Sequence, residues 1–394
     1  MSVLILGDPH LGASQSLGKS GIGTTLNSRI SDQLKLLEWT LDKSIEKNVT
    51  DIIITGDVFD EPKPPPFLIS LFISWLKKCQ SNHVKVHIIA GNHDILRVGN
   101  FYLSPLDIIS ESEIDGINIY KDIETIFINN SAFTLIPFRD RKSFNSEINS
   151  EALNILKDII NYELASIPIT YKKIIVGHLC LEGSIPVGDE IDNMMNELLC
   201  PIDMFEGYDY IWMGHVHKPQ VLCDKPHVAH TGSMDISNYG EIDQDKSVII
   251  YDGESFITEK LPTRKLKKVN ILIPKDTENT TDYVIEELKK YNDFDKSIMK
   301  LEISLSSTDL LSVDKKKIEK HLYDSGVFNI SNFSENKKIN LIKKETQNIS
   351  QSMNEISAIK LYADSFIDEK NKEMFIDLAS EIYSEFKKEG KELN

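Results

Sequence analysis

The chain has 394 residues, more than one hydrophobic core usually serves, so one large domain with smaller additions is expected. Hydrophobic residues make up 41% and charged residues 27%, a balance that excludes a largely disordered chain. The net charge of −17 argues against a nucleic-acid partner only on average, because residues 264–348 hold 17 Lys+Arg against 14 Asp+Glu while the remainder holds 27 against 47.

Along the chain, VLIL at 3–6 has the continuous branched content of a buried strand. Ile30, Leu34, Leu37, Leu41 and Ile45 then recur at spacings of four, three, four and four, one face of a helix over 29–47 with Asn27 or Ser28 as its cap. DIIIT (51–55), VKVHIIA (84–90), KKIIV (172–176) and YDYIWM (208–213) read as further strands, with helical patterns over 67–79 and 151–166. Strands interleaved with helices predict an α/β layered fold.

The longest apolar stretch, FLISLFISWL at 67–76, is about half a membrane span. The opening MSVLILGD has neither the basic start nor the cleavage site of a signal peptide. A soluble, cytoplasmic protein without membrane contact is expected. Cys79, Cys180, Cys200 and Cys223 form no C-x-x-C pair and read as reduced core thiols.

A polar bridge, LPTRKLKK at 261–268, leads to a smaller unit. There VNILI (269–273), a helix near 281–291, KLEISL (300–305), a helix near 314–324 and a strand near 338–342 read as βαβαβ. The expected boundaries are 1–262, 263–345 and 346–394. The last follows a polar linker near 343–354 and carries two helical stripes, Ile356/Ile359/Ala363/Phe366 and Met374/Leu378/Ile382/Phe386.

Five short motifs each follow a strand-like run: GDPH with Asp8 and His10, GDVFD with Asp57, GNHD with Asn92, His93 and Asp94, GH with His178, and GHVHKP with His215 and His217. Carboxyl ends of strands in α/β sheets line a common crevice, so motifs two hundred residues apart can converge. The mixed oxygen and imidazole donors suit manganese or iron rather than thiolate-bound zinc. A carboxylate can bridge two such cations, holding a phosphate and its attacking hydroxide for in-line displacement. One histidine alone is more often structural, but five ordered motifs without a competing nucleophile pattern point to a site.

These motifs resemble the ordered signature of the calcineurin-like metallophosphoesterase superfamily: DxH, GDxxD, GNHD/E, GH and GHxH. Within it the chain is similar to the SbcD-type nuclease family, the nuclease subunit of SbcCD complexes. DPHLG matches D-x-H-L-G and GDVFDEPKPP resembles G-D-x-F-D-x-x-x-P-P; AGNHD, GH, GHVHKPQ and HTGSMDISNYGE follow in register over residues 1–250. Pro9 and the long Gly/Ser-rich loop 13–27 depart from the pattern.

The resemblance implies a layered calcineurin-like domain, a small capping domain and a C-terminal helical tail. It implies a DNA exonuclease/endonuclease of repair and recombination that uses two Mn2+ per chain, with Mg2+ or Fe2+ as alternatives. Asp8, His10, Asp57 and His217 would hold one metal; Asp57, Asn92, His178 and His215 the other. His93 would serve the leaving oxygen as an acid, with Asp94 orienting its ring. Implied partners are double-stranded DNA ends, an SbcC-type coiled-coil ATPase docked on the tail, and a second copy. The homodimer would use the helix after PKPPP, where Phe67, Leu68, Leu71, Phe72 and Trp75 crowd together; ordinary core is the other reading.

Duplex contacts are assigned to the basic segment, with Lys315, Lys316 and Lys317 as candidates, although lysines on a solvated helix face are the other reading. Protein phosphatases of the superfamily carry G-D-x-V-D-R-G and G-N-H-E, which this chain lacks. Cyclic-nucleotide and phospholipid esterases lack a β/α cap followed by a tail. A regulatory partner with a vestigial site is disfavoured by the complete ligand set.

Overall fold

The computed structural model describes residues 2–20, 26–98, 101–187, 197–275, 277–291, 293–305, 313–337, 372 and 374–379. Two six-stranded sheets form its centre. The first runs, in spatial order, Phe256–Lys260, Ser247–Tyr251, Ser2–Leu6, Val49–Ile54, Lys85–Ile89 and Ile117–Tyr120. The second runs Gln220–Cys223, His227–His230, Tyr210–Met213, Lys172–Gly177, Ser131–Ile136 and Glu124–Ile128. Four consecutive strands of each sheet are parallel; antiparallel strands flank them on both sides of the second sheet and on one side of the first, whose other edge is the parallel strand Ile117–Tyr120.

Alternation along each strand assigns the layers. Val3, Ile5, Ile53, Phe133, Val176 and Trp212 pack between the sheets. Leu4, Leu6, Ile52 and Ile54 turn the other way, onto Leu37, Leu41 and Phe72 of two helices, Ser28–Glu46 and Pro66–Ser81. On the far side of the second sheet, Ile175, Ile211 and Met213 meet Leu156 and Ile160 of the helix Asn149–Ser166. Each such side chain, fully buried, contributes about 1.5–3 kcal/mol of transfer free energy. Burial on both faces explains why VLIL and DIIIT are unbroken apolar runs. The expected α/β layering is present, and the doubling of the sheet is what the runs themselves do not announce.

Asn27 caps the first helix, its Oδ1 accepting from Arg29 N at 2.9 Å. In the second helix, Leu68, Phe72 and Trp75 belong to the chain's own core. Phe72 meets Phe59 edge-on at 5.8 Å, and Trp75 Nε1 donates to the Leu37 carbonyl at 2.8 Å. Phe67 remains 44% exposed. The core reading therefore accounts for three of those five residues.

A three-stranded sheet, Leu266–Ile273, Ile298–Leu305 and Asn329–Lys337, carries two helices, Thr280–Leu288 and Lys315–Asp324. The βαβαβ order is as expected, with two corrections. The first strand starts at Leu266, inside the stretch read as a bridge, because Leu266 is itself a buried residue. The third strand is Asn329–Lys337, whose described side chains are largely half-buried, so no apolar alternation marks it. Residues 338–342 lie outside the described residues.

Residues Met1–Ser304 and Leu310–Asn336 form one compact unit, and Leu305–Asp309 with Lys337–Asn394 a second. Within the first, Arg264 grips Asp32 through Nε at 2.6 Å and Nη2 at 2.7 Å and lies 4.0 Å above the Phe328 ring. In the second, Met374 and Leu378 are exposed on a helical turn; the other stripe residues of the tail fall outside the described residues. No helix among the described residues is long and apolar enough to cross a membrane.

Candidate active site

The loops leaving the carboxyl ends of parallel strands in both sheets meet at one cavity of about 430 Å³. Ser2–Leu6 leads to Asp8 and His10, Val49–Ile54 to Asp57, and Lys85–Ile89 to Asn92, His93 and Asp94. From the second sheet, Lys172–Gly177 leads to His178, and Tyr210–Met213 to His215 and His217. All seven expected ligands and His93 are thereby brought together. The three lysines are not: they form the first turn of the helix Lys315–Asp324 and do not line this cavity.

Asp57 is the hinge of the arrangement. Its Oδ2 lies 3.5 Å from His10 Nε2 and 3.3 Å from His178 Nε2, while Oδ1 accepts from the His93 backbone N–H at 2.8 Å. On one side, His10 Nε2 and His217 Nε2 are 3.0 Å apart. On the other, Asn92 Oδ1 is 2.9 Å from His178 Nε2 and 3.0 Å from His215 Nδ1. His178 Nδ1 donates to the Thr55 carbonyl at 3.0 Å, which turns its Nε2 toward Asn92 and Asp57. Imidazole nitrogens, carboxylate oxygens and an amide oxygen thus converge on both sides of Asp57, close enough to share protons or a cation.

The protonation pattern reflects the same crowding. Burial would raise the Asp57 carboxyl, but His178, then His10 and His93, hold it well below the usual range. Burial works against a charged His178, yet Asp57 and Asp8 raise it to about 10. Protons and divalent cations compete for one nest of donors. The donor set fits a hard or intermediate cation: three clusters, Asp8/His10/His217, Asp8/Asp57/His178 and His10/Asp60/His93, each bring ligand atoms within 4.8 Å of one another.

Close approach is built into the backbone. A Cβ on Gly91 would sit 2.1 Å from Asp57 Oδ1, and one on Gly214 would sit 2.3 Å from Asp8 Oδ1. His10, Asp57 and His215 themselves adopt positive φ, at 42°, 46° and 77°, a conformation costly for non-glycine residues.

The structure corrects the role of Asp94: its carboxylate does not orient the His93 ring but is committed to the backbone. Fully buried, it accepts from Val58 N at 3.2 Å, Phe59 N at 3.3 Å and Gly91 N at 3.1 Å, stapling the Asp57 and Asn92 loops together. Burial, then the Asp57 charge, raise it to about 7 against those three donors. The His93 ring is held by the Asp60 carbonyl, 2.5 Å from Nδ1, which leaves Nε2 for the cavity His93 lines.

Other contributors lie outside the five ligand motifs, although His230 and Glu241 open and close the segment HTGSMDISNYGE. Thr55 Oγ1 donates to Asp8 Oδ1 at 2.6 Å, and His215 N to Asp8 Oδ2 at 2.6 Å. Buried Glu241 pairs with buried Lys246 at 2.7 Å and reaches His217 Nδ1 at 3.6 Å. His230, lowered to about 4 by burial, donates from Nδ1 to the Gly214 carbonyl at 3.0 Å. Loop residues Ala13, Ser14, Ser16 and Leu17 line the cavity, and the Leu17 carbonyl accepts from Asn329 of the third sheet at 2.8 Å. Burial pushes the Cys79 and Cys200 thiols up to about 12.

Residues 1–219 match the calcineurin-like phosphoesterase family, and the chain belongs to that family. Its members' fold implies binding of divalent metal, which the donor clusters here fit.

Within the family the chain is similar to named DNA-processing proteins. It is 24% identical to the DNA double-strand break repair protein Mre11 of Methanococcus maripaludis, over 97% of this chain and 94% of that one. It is 23% identical to the Methanocaldococcus jannaschii protein of the same name, over 77% and 73%. It is 25% identical to the SbcD component of the nuclease SbcCD of Escherichia coli, over 56% of this chain and 59% of that one.

Proposed function

We propose that this chain is a manganese-dependent nuclease that hydrolyses phosphodiesters at DNA ends, with two cation positions sharing Asp57. One observation carries the reading: Asp57 Oδ2 faces imidazole nitrogens on both sides, 3.5 and 3.3 Å away. Asp8, His10, Asp57 and His217 would hold one Mn2+; Asp57, Asn92, His178 and His215 the other. Bound there, such ions would supply positive charge to the reacting phosphate and to the attacking water.

The protein's own groups do the rest. His93, its Nδ1–H held by the Asp60 carbonyl, turns Nε2 to the cavity, where as the imidazolium it would pass the Nε2 proton to the leaving oxygen and return to the neutral ring. Asp94 keeps the two ligand loops in register. Ala13, Ser14, Ser16 and Leu17 line the same cavity and would shape what enters.

DNA as substrate rests on the similarity to Mre11 and SbcD proteins and on the net-basic segment 264–348. We assign residues 1–262 to the nuclease, 263–345 to a cap on the duplex and 346–394 to docking of an SbcC-type ATPase. Lys315, Lys316 and Lys317 occupy a first helical turn, where cations oppose the helix dipole, so helix stability does not explain them. Two of them are partly engaged, Lys317 with Asp282 at 2.6 Å and Lys315 over the Phe333 ring. A homodimer contact on the second helix, as the resemblance implies, would use Phe67, which is exposed there.

An end-labelled DNA duplex tests the activity. Cleavage should require added manganese and stop in excess chelator. Cleavage that survives exhaustive metal removal, or hydrolysis of phosphomonoesters alone, contradicts it.

A further inference from the structure

We infer that Glu197 is a positioning residue for His215, fixing which ring nitrogen faces the cation nest; the inference rests on the metal-site reading above. Glu197 Oε2 lies 2.5 Å from His215 Nε2, and the two side chains are only 16% and 9% exposed. A carboxylate only accepts, so the proton belongs on Nε2. Nδ1 is then left with a lone pair, aimed at Asn92 Oδ1 at 3.0 Å and His178 Nε2 at 3.3 Å.

The neighbours follow the same scheme. His178 is set in its tautomer by the Thr55 carbonyl on its outer nitrogen, and His217 has Glu241 at its own. The Phe138 ring stacks on His215 at 6.1 Å and 28°, which restricts rotation of the imidazole. Glu197 reaches this place through strand pairing. Leu199 and Cys200 lie in parallel register with Cys180 and Leu181, the segment that leaves His178. Glu197 is thereby tied to the loop of one ligand while it orients another.

Outer carboxylates on metal-bound histidines raise ligand basicity, and their loss typically costs 10–100-fold in metal affinity. The test compares Glu197→Gln with Glu197→Ala in the full chain. One readout is the ring 15N spectrum of metal-free protein, with His215 assigned by its disappearance in His215→Asn. Glutamine still offers an acceptor oxygen, so it should keep the Nε2–H tautomer and hold manganese affinity within about threefold. Alanine should admit the Nδ1–H tautomer and weaken one of two manganese positions by about 10–100-fold.

An unchanged His215 spectrum in Glu197→Ala would overturn the inference. So would loss of one whole ion in both variants, which would make Glu197 a ligand, a reading open to it because Cys180, Glu197 and His215 share a 4.8 Å cluster. Should wild-type protein bind no manganese in the cleft, the metal-site reading fails, while the metal-free spectrum still reports on Glu197 and His215.

Discussion

Gly214→Ala isolates the geometric demand of the site. The glycine has an ordinary backbone, so the substitution brings no conformational strain, only a methyl group 2.3 Å from Asp8 Oδ1, 2.6 Å from Thr55 Oγ1 and 2.9 Å from Thr55 Cβ. Restoring ordinary contact at about 3.4 Å requires the Asp8 carboxylate to retreat by roughly 1 Å. That carboxylate is pinned by Thr55 Oγ1 and by His215 N, each at 2.6 Å. Overpacking costs about 1–3 kcal/mol, and loss of one hydrogen bond to a charged group about 1.5–3 kcal/mol. The variant should therefore unfold at lower urea, by about 2.5–6 kcal/mol, if relaxation sacrifices one of the two bonds. A shift of this size at a reacting centre costs on the order of a hundredfold in rate. Urea unfolding of metal-free protein, a manganese titration and turnover on a small phosphodiester together measure it. Wild-type metal affinity and turnover in this variant would refute the argument that close packing of Asp8 sets the site.

His93→Asn should keep both metals and DNA binding while cutting turnover about a hundredfold or more, by single-turnover kinetics and metal analysis; metal loss would make His93 a ligand. Charge reversals at Lys315, Lys316 and Lys317 should weaken duplex binding and flatten its salt dependence, leaving small-phosphodiester hydrolysis intact. Equal loss on both substrates would point to misfolding or another DNA path. A chain ending at Lys344 should retain manganese-dependent nuclease activity but fail to co-purify with a coiled-coil ATPase partner; normal binding of the partner would remove the docking role from the tail.

The candidate ligands were legible because their chemistry restricts residue type and because each sits at the end of an apolar strand run. GDPH, GDVFD and GNHD show both features in sequence. Asp94 shows the limit of adjacency: it follows His93, but its burial turns it onto three backbone N–H groups rather than the ring. The group that does hold His93 is a carbonyl, which every residue possesses, so nothing about Asp60 announces it. Glu197 and Glu241 act across tertiary contacts from outside the motifs, although Glu241 closes the segment HTGSMDISNYGE. In the fold, a run such as VLIL says that both faces are covered; whether a helix or a second sheet covers them depends on partners far away in the chain. The polar strand Asn329–Lys337 is held by its sheet neighbour rather than by an apolar face, and no periodicity reveals it.

The shared carboxylate is the centre of this account, and manganese counting in two variants tests it most directly. Asp57→Ala should lower occupancy at both positions, because its Oδ2 faces His10 on one side and His178 on the other. Asp8→Ala should chiefly empty one. Full two-ion occupancy in Asp57→Ala would contradict the bridging role and with it the two-cation site.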